Sequence, residues 1–433
     1  MSGGLLLVLV LLGCMFLGAP VVLSLAISCV VYIFLSPIVT MNFFVENIIN
    51  GATNFVLLAI PFFILSGEIM SAGGISKRLI ELCTTLLKRV KGLHAVVTVF
   101  ACMFFSALSG SAAATVACIG GIMIPQMIRN GYDKGFATAV TTASGALGPI
   151  IPPSVLMLIY GVAVQVSIAD LFLAGVIPGI MIAFVLAVIA QRMVIKANFE
   201  TPPDVAKENE VVFQLSIPRA FKRAIFALFA PVIILGGIYG GIFTPTEAAI
   251  VACVYALVVS LFIYRELKFR DLHMVFTKAA RSCNFLIIIA LSAIFGRLLA
   301  IEGITVGLAD FVTGMTDNKY IVLLIINVML FLISLIVDAG PAIIILAPIL
   351  ANVVAPYGIC MVHFGIIMVI NLAIGLTTPP VGVNLLVGTR ISGVKMGDTF
   401  RPLVPLLSGI IVILLLVTYI PQIALFLPNL LRG

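Results

Sequence analysis

The run GALGPIIPP (residues 145–153) lies within residues 135–169, which contain no Asp, Glu, Lys or Arg. A related run, GLTTPP (residues 375–380), lies in the charge-free residues 339–389. Proline removes a backbone donor, clashes with the preceding helical turn and pushes the residue before it out of α geometry, so adjacent prolines unwind a helix. A kink with a packing role is the alternative for a single proline. The paired runs therefore predict two broken helices with free carbonyl oxygens.

The composition predicts that most of the chain lies in lipid. Of its 433 residues, 62% are apolar and 9% are charged, which is more apolar surface than a water-soluble fold can bury. Apolar runs of about 20 residues, long enough to cross a bilayer as helices, recur along the chain. The first run starts without a positive charge and extends well beyond a signal-peptide core, which predicts a retained first helix. Within a membrane-spanning helix, a break at membrane depth is tolerated only where protein or a water-filled cavity surrounds it.

Charges and cysteines exclude several classes of function. The net charge of +7 comes from short basic clusters such as Lys88, Arg89 and Lys91, which mark cytoplasmic loops of a membrane protein rather than a nucleic-acid surface. The eight cysteines lie singly in apolar segments and are interpreted as packing residues. The sequence contains no GxxxxGK[ST] loop, so nucleotide is not expected to drive this chain.

The two halves of the chain resemble each other in the placement of glycine and proline. The hydrophilic residues 196–223, interpreted as a central amphipathic arm, separate the halves. A shift of about 230 residues aligns Pro152 and Pro153 with Pro379 and Pro380. Internal repeats of this kind are typical of secondary transporters, whose substrate and ions bind near the bilayer midplane at the repeat interface.

A second kind of break predicts a re-entrant hairpin in each half. The sequence SALSGSAAAT (residues 106–115) interrupts the 37 charge-free residues 92–128, a length that suits two helices of about 15 to 18 residues joined by a turn. In the second half, SLIVDAGP (residues 334–341) lies between two apolar stretches. Its Asp338 is an ionisable group at membrane depth, for which a functional role is the default interpretation. Close helix packing by small residues is the alternative for the serine and glycine cluster.

These breaks together favour the binding of a cation and an organic acid. Hairpin tips and unwound helices present carbonyl and hydroxyl oxygens that suit a sodium ion, while the N-termini of half-helices attract a carboxylate. Thr377 and Thr378 add hydroxyls in the second half, where Ile150 and Ile151 add none in the first. The remaining charges in apolar segments are expected near helix ends, where they pair or reach the interface: Glu68, Glu247, Arg297, Glu302 and Arg390.

At these residues the chain resembles the large membrane subunit of the tripartite ATP-independent periplasmic (TRAP) transporters. The likeness extends over nearly the whole length and includes AIPFFILSGEIMSAGGISKR (59–78), SALSGSAAAT (106–115), GPIIPPS (148–154), LFLAGVIPG (171–179), GGIFTPTEAA (240–249) and GLTTPPVG (375–382). It implies an all-α polytopic integral membrane protein of the bacterial inner membrane. The implied architecture is an inverted-repeat, elevator-type transporter with two re-entrant helical hairpins and two broken helices.

The resemblance also implies ligands and partners. Sodium (Na⁺) is the implied coupling ion, and the implied partners are a small four-helix membrane subunit and a periplasmic substrate-binding protein. One sodium site is placed around Ser106, Ser109, Ser111, Gly145 and Pro149, and the other around Asp338, Gly340, Gly375, Thr377 and Thr378. Substrate binding is assigned to Ser111, Thr115, Pro152, Pro153, Pro379 and Pro380. Ala347 precedes Pro348 where many members have a hydroxyl residue, so this position is left out of the ligand set.

The same likeness divides the chain into scaffold and transport parts. Residues 1–90 are predicted to form scaffold helices of the first repeat, and residues 91–169 the first transport half with its hairpin and broken helix. Residues 170–318 are assigned to scaffold helices with the arm 196–223, residues 319–395 to the second transport half and residues 396–433 to a C-terminal helix.

The expected function is sodium-coupled symport of a small organic anion that a periplasmic binding protein delivers. Family substrates include C4-dicarboxylates, keto acids and sialic acids, of which sialic acid is the first expectation. The alternative is a sodium-coupled carboxylate carrier that works without a binding protein. An intramembrane enzyme is disfavoured because the sequence has no HExxH or GxSxG motif. A channel is disfavoured because the breaks are paired, as in an occludable site.

Overall fold

A computed structural model defines the fold of most of the chain. It describes residues 3–36, 39–52, 55–199, 202, 216–282, 285–304, 307, 310, 314, 316–380 and 382–432. Within these residues the secondary structure is helical, with no β-strand, which confirms the expected all-α class. Residues 203–215, and with them the middle of the predicted amphipathic arm, lie outside the described residues.

The described residues of the first half form ten α-helices and one short 3₁₀ segment, Phe55–Leu58, that leads into the fourth helix. In chain order they are α1 (Gly3–Phe16), α2 (Val21–Leu35), α3 (Met41–Ala52), α4 (Ala59–Ala72), α5 (Ile75–Leu87), α6 (Leu93–Ser109), α7 (Ala112–Arg129), α8 (Lys134–Gly145), α9 (Val155–Val164) and α10 (Ile168–Ala197).

The second half has short 3₁₀ segments at Phe269–Asp271 and Ala355–Tyr357, and a π-helical turn, Val259–Ile263, that extends α12. Its described helices are α11 (Ile217–Tyr239), α12 (Pro245–Val258), α13 (Leu272–Ser282), α14 (Phe285–Ile301), α15 (Lys319–Ser334), α16 (Ala339–Val354), α17 (Met361–Gly375), α18 (Val383–Ser392), α19 (Met396–Tyr419) and α20 (Gln422–Arg432).

The outer surface of the molecule is apolar. Eight helical segments of the described chain are long and apolar enough to cross a membrane. Large apolar side chains such as Phe34, Phe184 and Val232 are 75%, 64% and 63% exposed, respectively. A surface of this kind is stable against lipid tails and unstable against water.

The two halves repeat the same arrangement of helix starts and helix ends. Helices α7 and α16 begin directly after their N-cap residues, Ser111 and Asp338, whose numbers differ by 227. The same difference of 227 separates the starts of α8 and α17, at Lys134 and Met361. The internal repeat expected from the prolines is therefore also present in the helix boundaries.

Helix packing brings the repeated elements together. Helix α7 packs against α8 and α18, and α16 packs against α9 and α17, so α7 and α16 each contact two helices that border an interruption. Around them, α4 packs on α12 and α13, and α14 packs on α2 and α3. Helix α10 crosses the predicted boundary at residue 170 and packs on α6 and α19. The division into moving and fixed parts stays a prediction.

Candidate binding site

Helices α6 and α7 form one helix pair, joined by the first turn, and α15 and α16 form the other, joined by the second turn. The first interruption lies between α8 and α9, and the second between α17 and α18. A cavity of about 460 Å³, termed the central cavity, lies where both turns and both interruptions meet. It brings together five of the residues assigned to the site from the sequence: Ser109, Ser111, Pro149, Asp338 and Gly340. The two halves therefore supply one site between them rather than a separate cavity each.

The first turn is short and tightly held. Helix α6 has 17 residues and ends at Ser109, and α7 has 18 residues and begins at Ala112, in agreement with the predicted helix lengths. Gly110 between them has a φ of 61°, in the left-handed region that glycine adopts at little cost. A Cβ at residue 110 would lie 2.6 Å from the Pro153 carbonyl oxygen. Only glycine therefore allows the turn to approach the first interruption this closely.

Both helices that contain a proline pair are interrupted where the sequence predicted. Helix α8 ends at Gly145 and α9 begins only at Val155, while α17 ends at Gly375 and α18 begins at Val383. The Pro152–Pro153 and Pro379–Pro380 peptide bonds are both cis. In the first interruption the Ser154 hydroxyl donates to the Pro149 carbonyl oxygen and accepts from the Met157 N–H at 3.2 Å, which caps α9.

The serines of the first turn have different environments. The Ser109 and Thr115 hydroxyl oxygens lie 3.1 Å apart, and the Thr115 hydroxyl donates to the Ser111 carbonyl oxygen at 2.8 Å. Ser106 is fully buried inside α6, where its hydroxyl donates to the Cys102 carbonyl oxygen at 2.6 Å. Ser109 and Ser111 line the central cavity, whereas Ser106 and Thr115 lie behind its lining.

The second turn presents a carboxylate to the central cavity. Asp338 caps α16 by accepting a hydrogen bond from the Ala339 N–H at 2.9 Å. In the second interruption the hydroxyls of Thr377 and Thr378 donate to the Ile374 carbonyl oxygen at 2.7 and 2.8 Å. Neither threonine lines the cavity, and neither do Gly145, Gly375 or the four prolines of the two pairs.

Two cavity residues were missed by the sequence-based assignment. Asn384, the second residue of α18, is fully buried, and neither atom of its side-chain amide has a hydrogen-bond partner among the described residues. A buried amide without a protein partner is available to a ligand. Glu68, which the sequence placed near a helix end, lies four residues before the end of α4 and lines the same cavity. A polar residue isolated in an apolar run was the available signal for both.

Other charged residues in the apolar segments cap a helix or form hydrogen bonds between helices. Glu247 accepts from the Thr244 N–H at 2.8 Å in a capping box at the start of α12. The Glu302 carboxylate, just after α14, accepts from the Tyr32 hydroxyl. Arg297 lies inside α14 and donates to the Asn47 side-chain oxygen on α3.

These observations define a polytopic α-helical membrane protein of the internal-repeat class, with a cavity that contains polar groups between two interrupted helices. The chain belongs to the family described as "Tripartite ATP-independent periplasmic transporter, DctM component", whose sequence profile matches residues 8–423. It is therefore a multi-pass inner-membrane transport protein and not an enzyme. TRAP large permeases work with a small membrane subunit and a periplasmic binding protein for organic acid substrates.

Relatives named for different substrates resemble this chain to a similar degree. It is 38% identical over 384 residues to the C4-dicarboxylate TRAP transporter large permease protein DctM of Pseudomonas aeruginosa, covering 88% of each chain. It is 34% identical over 423 residues to the sialic acid TRAP transporter large permease protein SiaM of Vibrio cholerae, covering 98% of this chain and 97% of that protein. The isethionate TRAP transporter permease protein DctMQ of Oleidesulfovibrio alaskensis is 39% identical over 410 residues, which cover 94% of this chain.

One relative is considerably longer than this chain, and one solved structure shares its fold. The chain spans 64% of the length of the isethionate permease, less than two thirds of that protein. The crystal structure of the Alcanivorax borkumensis YdaH transporter superimposes with a TM-score of 0.61 at 15% identity, covering 96% of this chain and 98% of that chain. At this level of identity the likeness shows a shared fold.

Proposed function

We propose that this chain is the large permease of a sodium-coupled TRAP transporter that imports a small organic anion delivered by a periplasmic binding protein. The observation that supports this proposal is the central cavity, where the turns of both helix pairs and both interruptions converge. Its polar lining consists of serine hydroxyls, two carboxylates and an amide, all of which carry oxygen atoms that can bind a ligand.

The cavity residues fit a sodium ion. The Asn384 side-chain oxygen is buried without a protein partner, and the Asp338 carboxylate and Ser109 hydroxyl face the same space. A hard monovalent cation binds to oxygen atoms of these kinds, and its charge offsets the cost of placing a carboxylate at membrane depth. When bound, sodium would supply positive charge beside an anionic solute. Asp338, Asn384 and the first-turn serines would hold it.

The distribution of the cavity-lining residues between two groups of helices supports an elevator movement. Most lining residues come from α6, α7, α9, α16, α18 and the interruptions, whereas Ile64 and Glu68 come from α4 and Ser282 from α13. At one contact between the two groups, a Cβ at Gly67 of α4 would lie only 3.1 Å from the Ser109 Cα. Movement of the first group past α4 would transfer nearly the complete site from one side of the membrane to the other.

The solute is proposed from the relatives and from the size of the cavity. A volume of about 460 Å³ accommodates a solute of sialic acid or C4-dicarboxylate size. Relatives named as transporters of both kinds resemble most of this chain. Sialic acid is the first candidate and a C4-dicarboxylate the second.

Solute uptake into proteoliposomes tests this function. The permease, reconstituted with its small membrane subunit, is supplied with labelled N-acetylneuraminate or succinate, with and without an inward sodium gradient and the candidate binding protein. We expect uptake that requires both the gradient and the binding protein. Equal uptake with potassium in place of sodium would refute sodium coupling, and equal uptake without the binding protein would favour the carrier that works alone.

A further inference from the structure

The charge of the central cavity is opposite to what an organic anion requires. Its described lining includes two carboxylates, Glu68 and Asp338, and no Lys, Arg or His. Lys278 on α13 faces Glu68 from outside this lining. A negative group placed beside two carboxylates at membrane depth is repelled strongly, because the local dielectric constant is low. Apart from the sodium ion proposed above, a positive group for the anionic end of the solute has to come from elsewhere along its route.

A second cavity, of about 520 Å³, contains such a group. This cavity, termed the Arg297 cavity, lies between α3, α9, α14 and α16. Apart from Arg297 and the side-chain amides of Asn47 and Gln165, its described lining is apolar. Arg297 is exposed although it lies inside the apolar helix α14. A guanidinium in such a helix faces a cavity or a pathway far more often than it faces lipid.

The Arg297 guanidinium is held in place by a buried amide. Asn47 is 6% exposed, and its side-chain NH₂ group donates to the Phe43 carbonyl oxygen at 2.7 Å, which turns its oxygen toward Arg297. The guanidinium has five N–H donors in a planar fork, more than one amide oxygen can accept. A fixed fork of this kind matches the two oxygens of a carboxylate, and sulfonate oxygens can accept from the same donors.

The two cavities lie end to end along the contact between α9 and α16. Ile159 of α9 lines both of them. On α16, Gly340 lines the central cavity and Ile344 lines the Arg297 cavity. Four residues correspond to about one helical turn, or roughly 6 Å along the axis. Ile159 therefore lies at the boundary between the two cavities.

The internal repeat relates the charged residues of the two cavities. A shift of 229 residues, two more than the difference of 227 between the helix starts, pairs Gly67 with Gly296 and Glu68 with Arg297. Equivalent positions in the two halves thus carry opposite charges, and each faces a different cavity. The first cavity is suited to a cation and the second to an anion.

We propose that the Arg297 cavity is a second binding subsite, which takes the carboxylate or sulfonate group of the transported organic anion on its way into or out of the central cavity. This inference rests on the proposed function. Arg297 binds the anionic group, Asn47 positions the guanidinium, and Ile159 separates the subsite from the central cavity.

Equilibrium binding to the purified permease, in complex with its small membrane subunit, tests the subsite. The probes are labelled N-acetylneuraminate, succinate and isethionate at a fixed sodium concentration, and the variants are Arg297→Gln and Arg297→Lys. Arg192→Gln is the matched control, because Arg192 is also an exposed arginine of an apolar helix but lines neither cavity. We expect about tenfold weaker binding for Arg297→Gln and about threefold for Arg297→Lys, with Arg192→Gln unchanged.

The outcomes separate this inference from the proposed function. Wild-type binding that Arg297→Gln leaves unchanged overturns the subsite alone, whereas wild-type protein that binds none of the three anions overturns the proposed function and the subsite with it. If Arg297 only joins α14 to α3, Arg297→Gln and Asn47→Ala will lower the melting temperature equally while the folded fraction binds normally, which also overturns the subsite. Loss of co-purified phospholipid from Arg297→Gln, with solute binding unchanged, would assign Arg297 to a lipid phosphate instead.

Discussion

The side-chain amide of Asn384 lies against Gly145, so that a Cβ added at residue 145 would be 3.3 Å from the Asn384 Nδ2 atom. Gly145 ends α8 in the first half of the chain, and Asn384 lies at the start of α18 in the second half. The first interruption is therefore completed by a polar group from the other repeat. This exchange between halves explains why the candidate site forms only in the assembled fold.

Replacing Asn384 with Ala tests whether this amide binds a ligand. Because its two polar atoms make no protein hydrogen bond, the change leaves no partner unsatisfied, and we expect the melting temperature to change little. We expect the sodium concentration for half-maximal uptake to rise about tenfold, corresponding to the loss of one ligand interaction.

Asn352→Ala is the control for Asn384→Ala. Asn352 is exposed on α16, and its side-chain NH₂ group donates to the Pro348 carbonyl oxygen at 3.1 Å, away from the central cavity. Uptake and sodium activation should match the wild type. Wild-type sodium activation in Asn384→Ala would exclude the amide from the ion site.

Two substitutions at Asp338 separate its charge from its role as a helix cap. Asparagine is as good an N-cap as aspartate, so Asp338→Asn keeps the cap of α16 and removes the charge, whereas Asp338→Ala removes both. We expect both variants to need about tenfold more sodium for half-maximal uptake. Only Asp338→Ala should also lose stability, by about 1 kcal/mol. Uptake measured across a sodium series provides the test, and an unchanged sodium response in both variants would contradict the assignment.

Replacing Pro152 and Pro153 with Ala tests the first interruption. Alanine restores the missing N–H groups and is the best helix former, so residues between α8 and α9 should become helical and displace the lining residue Pro149. We expect uptake to be abolished while the amount of protein in the membrane fraction is unchanged. Pro125→Ala is the control, because Pro125 lies inside α7 and does not line the central cavity. Normal uptake by the double variant would refute a role for the interruption.

A Cβ at Gly148 tests the contact between the first interruption and the first turn. It would lie 2.6 Å from the Ala112 nitrogen and from the Ser111 carbonyl oxygen, which are backbone atoms that cannot rotate away. We expect Gly148→Ala to destabilise the protein by about 2 kcal/mol and to lower uptake, since the turn must shift.

Gly121→Ala is the matched control for Gly148→Ala. Gly121 lies in α7, and a Cβ there would meet no atom within 4 Å. Alanine at an open helical position stabilises by about 0.5 to 1 kcal/mol. The melting temperature of Gly148→Ala should therefore lie several degrees below that of Gly121→Ala, and only Gly148→Ala should lower the rate of uptake. Equal behaviour would contradict the proposed contact.

Features that depend on neighbouring residues were predicted well. The turns after Ser109 and Ser334 and the helix ends at Gly145 and Gly375 all follow from glycine, proline and small polar residues inside apolar runs. These residues act on their own backbone through lost donors, steric clashes and permitted φ angles, so the sequence contains the necessary information.

The identity of the cavity residues was predicted less completely. Thr377 and Thr378 were expected to offer hydroxyls to sodium; both donate to the Ile374 carbonyl oxygen one turn earlier, which leaves their oxygen lone pairs free, but neither residue lines the central cavity. Their assignment as sodium ligands stays a prediction. Asn384 is a single polar residue between the apolar Val383 and Leu385, and this pattern alone does not show which side of the helix faces a cavity.

Membrane location, helical class, the internal repeat and the positions of the breaks could thus be inferred from the order of residues, because each follows from interactions of the chain with solvent or with its own adjacent backbone. The order of residues could not show which polar groups line the same cavity. Ser111, Asp338 and Asn384 are separated by tens to hundreds of positions, and they share the central cavity only because α7, α16 and α18 pack around it. The separation of Glu68 and Arg297 into different cavities has the same origin, since packing between distant helices decides which side of a helix is enclosed.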